Sequence, residues 1–122
     1  MSEESGQTYR AILPGKGLLI FDGAMGTMLA CHAHAIPSES LNLSSPESVI
    51  EVHRAYVRAG ADVIRTNTFG ANRINLGICG LAHNAAAINR RAVELARVAA
   101  QEAPGSRTVL VAGSIGPINR HA

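Results

Sequence analysis

The chain has 122 residues, of which 47% are hydrophobic and 16% charged, a composition typical of one small globular domain. Its 11 basic and 9 acidic residues are scattered and leave a formal net charge of +2, so no basic stripe predicts nucleic-acid binding. No apolar run approaches the roughly 18 residues of a membrane span, and no signal-peptide layout is visible. We therefore expect a cytoplasmic protein with no nucleic-acid or membrane partner.

The first half of the chain predicts a buried strand followed by an amphipathic helix. The run LLIF at 18–21 is apolar throughout, as expected of a strand buried on both faces of a parallel sheet. The segment SSPE at 44–47 places a capping serine, a proline and a glutamate where a helix begins. An apolar stripe follows at helical spacing, in which we expect His53 to be a core residue, and Gly60 can end the helix in a left-handed conformation.

The second half predicts a strand, a helix and a strand. Residues 61–68 are β-branched at their centre, and 108–112 form a third short apolar run. Between them, a helical apolar face is formed by Ala85, Ile88, Ala92, Leu95 and Ala99. The alternation of strands and helices predicts an α/β fold with a parallel sheet.

Each predicted strand ends in small, polar or acidic residues. These are Asp22 and Gly23 after the first strand, 66–68 at the end of the second, and Gly113 and Ser114 after the third. Because the carboxyl ends of parallel strands carry the ligand site of α/β folds, we expect all three ends to meet at one mouth. A (β/α)₈ barrel needs about 250 residues and a stand-alone doubly wound sheet usually has about five strands, so three predicted strands indicate an unfinished parallel fold of either kind.

The loop GAMGT at 23–27 follows the first strand directly. It has neither the spacing of a dinucleotide-binding loop nor the Gly-Lys-Ser/Thr ending of a P-loop. One interpretation is a plain turn between strand and helix. The other is a loop whose backbone amides bind a carboxylate while Asp22 takes a cationic group, which together suit an amino acid.

Other polar residues have two interpretations each. Arg65 either pairs with an anionic substrate or neutralises an acidic neighbour in the sheet. Asn67 and Thr68 either bind a ligand at the strand end or cap a helix or turn. The cluster CHAH at 31–34 holds three metal-ligating side chains, but no second group lies at a matching spacing, so we interpret it as incidental.

Three blocks of sequence stand in order along the chain: LLIFDGAMGTML at 18–29, ESLNLSSPESVIEVHRAYVRAGADVIRTNTFGANRINL at 39–76, and VAGSIGPINR at 111–120. Together they closely resemble the homocysteine-binding domain of the homocysteine S-methyltransferase family, and the last block is most similar to its cobalamin-dependent methionine synthase branch. The resemblance implies the first three βα units of a (β/α)₈ TIM barrel. We expect 1–17 to be a polar lead-in and 18–122 to be the N-terminal, truncated part of that domain.

The resemblance also implies roles for particular residues. Asp22, Gly23 and Ala24 would hold the amino and carboxylate ends of homocysteine, and Asn67 and Thr68 would line the same mouth. Family members use a zinc ion held by three cysteine thiolates of late strands, so the zinc ligands are expected outside this chain. Cobalamin and methyltetrahydrofolate would be bound by other domains. An arginine at 65 departs from the acidic residue of many relatives, so the resemblance implies no contact with homocysteine for this side chain.

We therefore predict an N-terminal fragment of a homocysteine S-methyltransferase, inactive on its own, whose partners are homocysteine and the rest of the barrel. One alternative is a non-catalytic small α/β binding or interaction module. Another is the homocysteine-binding half of a fusion with methylenetetrahydrofolate reductase. A Schiff-base aldolase is disfavoured, because Lys16 is the single lysine and precedes the first strand.

Overall fold

The computed structural model describes residues 17–30 and 37–118. The helices of this part of the chain are α1 (Gly26–Leu29), α2 (Leu41–Ser44), α3 (Pro46–Ala59), α4 (Arg73–Ile78) and α5 (Ala85–Gln101). The strands are β1 (Val63–Arg65) and β2 (Leu110–Ala112). Short 3₁₀ turns at Ser38–Ser40 and Ala82–Asn84 lead into α2 and α5. The predicted long helices and the second and third strands are thus present as α3, α5, β1 and β2, with short helices α1, α2 and α4 in addition.

The two strands pair in parallel, with Val63 opposite Leu110 and Arg65 opposite Ala112. On the other side of β1, a single parallel bridge joins Phe21 to Val63. The three predicted strand segments thus lie side by side with β1 in the middle, which confirms the parallel arrangement. Both strands are shorter than the predicted 61–68 and 108–112, since regular pairing covers 3 residues in each.

The prediction that 18–21 is a strand buried on both faces is wrong. Regular strand is absent there, and the side chains of Leu18, Ile20 and Phe21 are 69%, 54% and 50% exposed. The segment pairs with β1 through main-chain bonds, such as that from the Asp22 amide to the Val63 carbonyl at 2.9 Å. It is an edge of the sheet within the described residues, so its apolar side chains are left without a complete covering layer.

Helices α3 and α5 contact each other and the sheet, and their apolar stripes form the core. His53 is fully buried on α3, which confirms the core placement. The α5 stripe is confirmed at every predicted position, all buried: Ala85, Ile88, Ala92, Leu95 and Ala99. Serine capping of α3 is not observed, because the hydroxyl of Ser45 lies 2.7 Å from that of Ser48 and caps no backbone donor.

Gly60 ends α3 with φ of 109°, in the left-handed region that the sequence predicts. We expect Gly60→Ala to lower the free energy of unfolding by about 1 kcal/mol, because a Cβ disfavours this backbone conformation. Gly77→Ala is the matched control, since Gly77 lies inside α4 and its added Cβ would meet only the Ala82 methyl at 3.8 Å. Urea unfolding of both variants checks the prediction; equal stability of the two would contradict it.

Helix α4 was not predicted. It begins after Asn72, whose side-chain oxygen accepts a hydrogen bond from the Asn75 amide at 2.8 Å. A helix of 6 residues is too short to show a periodic apolar stripe, so only its capping asparagine could have indicated it. Among the described residues, no helix is both long and apolar enough to cross a membrane.

Candidate functional site

A cleft of about 350 Å³ lies where the three sheet segments end. It is lined by residues of the glycine loop, of the 3₁₀ turn before α2, and of the segments that follow β1 and β2. All five residues singled out from the sequence border it: Asp22, Gly23, Ala24, Asn67 and Thr68. A larger hollow of about 710 Å³ beside β2 contains none of these five. The ends of the three sheet segments therefore meet at one cleft, as the sequence predicts.

Asp22 and Arg65 form an ion pair at this cleft. The Arg65 Nε donates to Asp22 Oδ1 at 2.8 Å, and the Arg65 main-chain amide donates to Oδ2 at 3.0 Å. The side chain of Asp22 is 2% exposed, whereas that of Arg65 is 45% exposed. Of the two interpretations of Arg65, the structure supports an acidic neighbour in the sheet, and that neighbour is Asp22.

The backbone of the glycine loop is anchored through its carbonyl groups. Arg65 Nη2 donates to the carbonyls of Asp22 and Gly23, each at 3.2 Å, and the Tyr56 hydroxyl donates to that of Ala24 at 2.6 Å. The amides of Gly23 and Ala24 donate to no described residue. A Cβ on Gly23 would lie 3.0 Å from the Tyr56 hydroxyl, so glycine gives the phenol room. Within the part of the chain that the structure describes, the loop therefore has bound carbonyls at 22–24 and two amides, those of Gly23 and Ala24, without an acceptor.

The polar residues after β1 bind neighbouring segments. Asn67 Nδ2 donates to the Ser38 carbonyl at 2.9 Å and to Asn42 Oδ1 at 3.0 Å. The Thr68 hydroxyl donates to the Ser114 carbonyl at 2.7 Å, which links the ends of β1 and β2. Both side chains therefore hold the walls of the cleft, and neither caps a helix.

Two residues that the sequence interpretation did not single out contribute buried polar groups. Asn42 is fully buried, and its amide donates to the carbonyls of Asn67 and Ile88 at 2.9 and 3.2 Å. Glu39 borders the cleft at 8% exposure and accepts a hydrogen bond from the Gly70 amide at 2.8 Å. Both lie in the stretch ESLN, where a buried polar residue leaves no periodic signal.

His53 lies in the core with an unusual lack of partners. Neither ring nitrogen has a hydrogen-bond partner among the described residues. Burial lowers the pKa of His53 from 6.5 to about 4, and the negative charge of Asp22 opposes part of that shift. The imidazole is therefore neutral at pH 7.

Acidification from pH 7 to pH 5 is expected to cost about 2 kcal/mol of stability through His53. The unfolded state binds the proton near pH 6.5 and the folded state only near pH 4, so stability falls as the pH drops through this window. His53→Leu should remove this part of the pH dependence, because leucine carries no titrating group. Urea unfolding at both pH values checks it, with His83→Leu at an exposed position as control. An unchanged pH dependence in His53→Leu would contradict the assignment.

The described residues do not fit a metal centre. No group of three His, Cys, Asp or Glu side chains among them is placed to hold a metal ion. Cys79 is an exposed free thiol. The CHAH cluster at 31–34 lies outside the described residues, so the interpretation of it as incidental stays a prediction.

The geometry defines the class of protein: a parallel α/β arrangement with a polar cleft at the strand ends. Comparison with known proteins makes this specific, because residues 19–122 match the family model of homocysteine S-methyltransferase. The chain therefore belongs to the homocysteine S-methyltransferase family.

Individual relatives agree with this assignment. The homocysteine S-methyltransferase of Escherichia coli K12 is 38% identical over 117 residues, which is 88% of this chain and 38% of that protein. The methionine synthase of Mycobacterium tuberculosis is 35% identical over 109 residues, 82% of this chain and 9% of that protein. The crystal structure of the homocysteine methyltransferase MmuM from E. coli, in its metallated form, aligns with a TM-score of 0.77 and 36% identity, covering 88% of this chain and 41% of that one. The chain thus matches a part, in the amino-terminal region, of longer relatives.

Proposed function

We propose that the natural polypeptide containing these residues transfers a methyl group to the thiol of homocysteine and so makes methionine. The observation that carries the proposal is the cleft: in a member of this family, the five residues expected to contact homocysteine border one hollow at the strand ends. The likeness to the E. coli methyltransferase structure supports a further part of the proposal, that the three sheet segments begin a (β/α)₈ barrel.

The chain's own residues suit the amino-acid end of the substrate. The free amides of Gly23 and Ala24 would donate to its carboxylate, as backbone amides of a loop commonly do for anions. Asp22 would act through Arg65, which it holds against the loop. Asn67 and Thr68 would keep the cleft in shape through their bonds to neighbouring segments.

In this proposal, the zinc ion and the methyl donor are bound by other parts of the natural polypeptide. Following the family resemblance, we assign the zinc ligands to cysteines of later strands of the natural polypeptide; residues 17–30 and 37–118 hold no group of three metal-ligating side chains placed together. Cobalamin and methyltetrahydrofolate, where they are used, would be bound there too.

Methionine formation by the natural-length polypeptide tests the activity. Homocysteine is supplied with methyltetrahydrofolate and cobalamin, with betaine, or with S-methylmethionine, and methionine is measured by mass spectrometry. We expect product with one donor and a large loss in Gly23→Val, whose side chain would collide with Tyr56. Gly77→Ala is the control, because Gly77 lies in α4, does not line the cleft, and its Cβ would meet only the Ala82 methyl at 3.8 Å. Absence of methionine with every donor would overturn the proposal.

The size of the native polypeptide tests the architecture. Since relatives are several times longer than the matched region, we expect an antibody against residues 54–73 to detect a cytoplasmic band far above 12.7 kDa. A band at 12.7 kDa would instead favour the non-catalytic binding module.

A further inference from the structure

We infer that Arg65 binds the carboxylate of the amino-acid substrate and thereby determines which substrates the cleft accepts. This role rests on the proposed function and adds to it a substrate contact from a side chain of β1. The binding group is the edge of the guanidinium that carries Nη1, which has no acceptor among the described residues at the cleft.

The guanidinium is fixed on its other edge. Nε donates to Asp22 Oδ1 at 2.8 Å, and Nη2 donates to the carbonyls of Asp22 and Gly23 at 3.2 Å each. Nη1 donates to no acceptor in residues 17–30 and 37–118, although the side chain is 45% exposed and borders the cleft. Because one edge of the planar guanidinium is already held, the side chain loses little further conformational entropy when the other edge binds a carboxylate.

The surroundings of Nη1 favour an anion. The amides of Gly23 and Ala24, in the same loop that Arg65 anchors, also lack acceptors among the described residues. Asp22, the acidic partner, is 2% exposed and accepts hydrogen bonds from Arg65 through both carboxylate oxygens, so its charge is balanced within the protein. This end of the cleft therefore offers hydrogen-bond donors.

A second charged group of the cleft completes the match to an amino acid. Glu39 accepts a hydrogen bond from the Gly70 amide through Oε1. Its carboxylate forms no ion pair with a basic side chain of the described residues. A zwitterion needs donors for its carboxylate and an anion for its ammonium group, and the lining of this one cleft provides both.

The test compares homocysteine with 3-aminopropane-1-thiol, which lacks only the carboxylate, as methyl acceptors of the natural-length enzyme. In Arg65→Met we expect kcat/KM to fall roughly 10- to 100-fold further for homocysteine than for the amine, because loss of the loop anchor affects both acceptors and loss of the charged hydrogen bond affects homocysteine alone. Arg65→Lys should lose a smaller part of the preference, since an ammonium group lacks the planar fork. Arg58→Met, at an exposed position on α3, is the control and should keep the preference.

The outcomes separate the two proposals. An equal loss on both acceptors would overturn the role of Arg65 and leave the methyltransferase proposal standing, because that pattern reports damage to the cleft. Failure of the wild type to methylate homocysteine with any donor would overturn both. Should Arg65→Met fail to fold, Arg65→Lys decides: a reduced preference for homocysteine supports the role, and an unchanged preference overturns it.

Discussion

Asn42→Leu is expected to destabilise the protein by about 3 kcal/mol, although leucine is close to asparagine in size. Asn42 is fully buried, donates to two main-chain carbonyls and accepts a hydrogen bond from Asn67. Leucine would leave the carbonyl of Asn67 and its side-chain amide each short of a partner, and a buried polar group without one costs roughly 1–3 kcal/mol. Urea unfolding measures the loss.

Two further variants make the Asn42 prediction specific. Asn42→Asp keeps the oxygen that accepts from Asn67 but removes both donors, so we expect a loss of similar size. Asn84→Leu is the control, because Asn84 is partly exposed and its side chain makes no capping bond to α5. If Asn42→Leu unfolded at the same urea concentration as Asn84→Leu, the buried hydrogen bonds would not have the assigned weight.

Gly116→Ala is expected to cost about 2–3 kcal/mol of stability and to weaken the proposed binding of homocysteine by the natural-length polypeptide. A Cβ at this position would lie 2.4 Å from the Phe69 carbonyl oxygen and 2.9 Å from two of its ring carbons. The Gly116 amide donates to that same carbonyl at 2.9 Å, so the two segments cannot separate without losing this bond. Their separation would also pull apart Thr68 and Ser114, which join the two strand ends.

Gly113→Ala is the matched control for Gly116→Ala. It lies in the same segment, yet its added Cβ would meet nothing within 4 Å. We expect a stability close to wild type and an unchanged KM for homocysteine in Gly113→Ala, against lower stability and a raised KM in Gly116→Ala. Similar behaviour of the two variants would contradict the proposed close contact.

The two long helices, α3 and α5, could be predicted from the sequence because their packing follows from residues three and four apart. The α5 stripe and the left-handed Gly60 are examples, and both are local properties of the chain. The edge segment at 18–21 shows the limit of this reasoning. Its apolar run resembles that of a central strand, but exposure depends on which layers cover it, and that is decided by distant parts of a fold.

The site could be predicted in outline and not in its bonding. Polar residues after successive strands indicated one cleft, and all five expected residues border it. Which groups pair within it depends on contacts between residues 43 positions apart, as in Arg65 and Asp22, or 25 apart, as in Asn42 and Asn67. Neither spacing has a periodic signature, so the sequence left two interpretations of Arg65 and none of Asn42. The ligand roles of the five residues stay predictions.

The contact between Tyr56 and the glycine loop gives the cleft an optical reporter. The sequence has 2 tyrosines and no tryptophan, and one of those phenols donates its hydroxyl proton to the Ala24 carbonyl at 2.6 Å. A ligand that accepts hydrogen bonds from the loop amides would change the polarity around the Tyr56 ring. The ultraviolet absorption and emission of this tyrosine would change with it. In the Tyr9→Phe variant of these 122 residues, Tyr56 is the one remaining tyrosine. Its absorption and emission then report whether the cleft holds a ligand, without an added label.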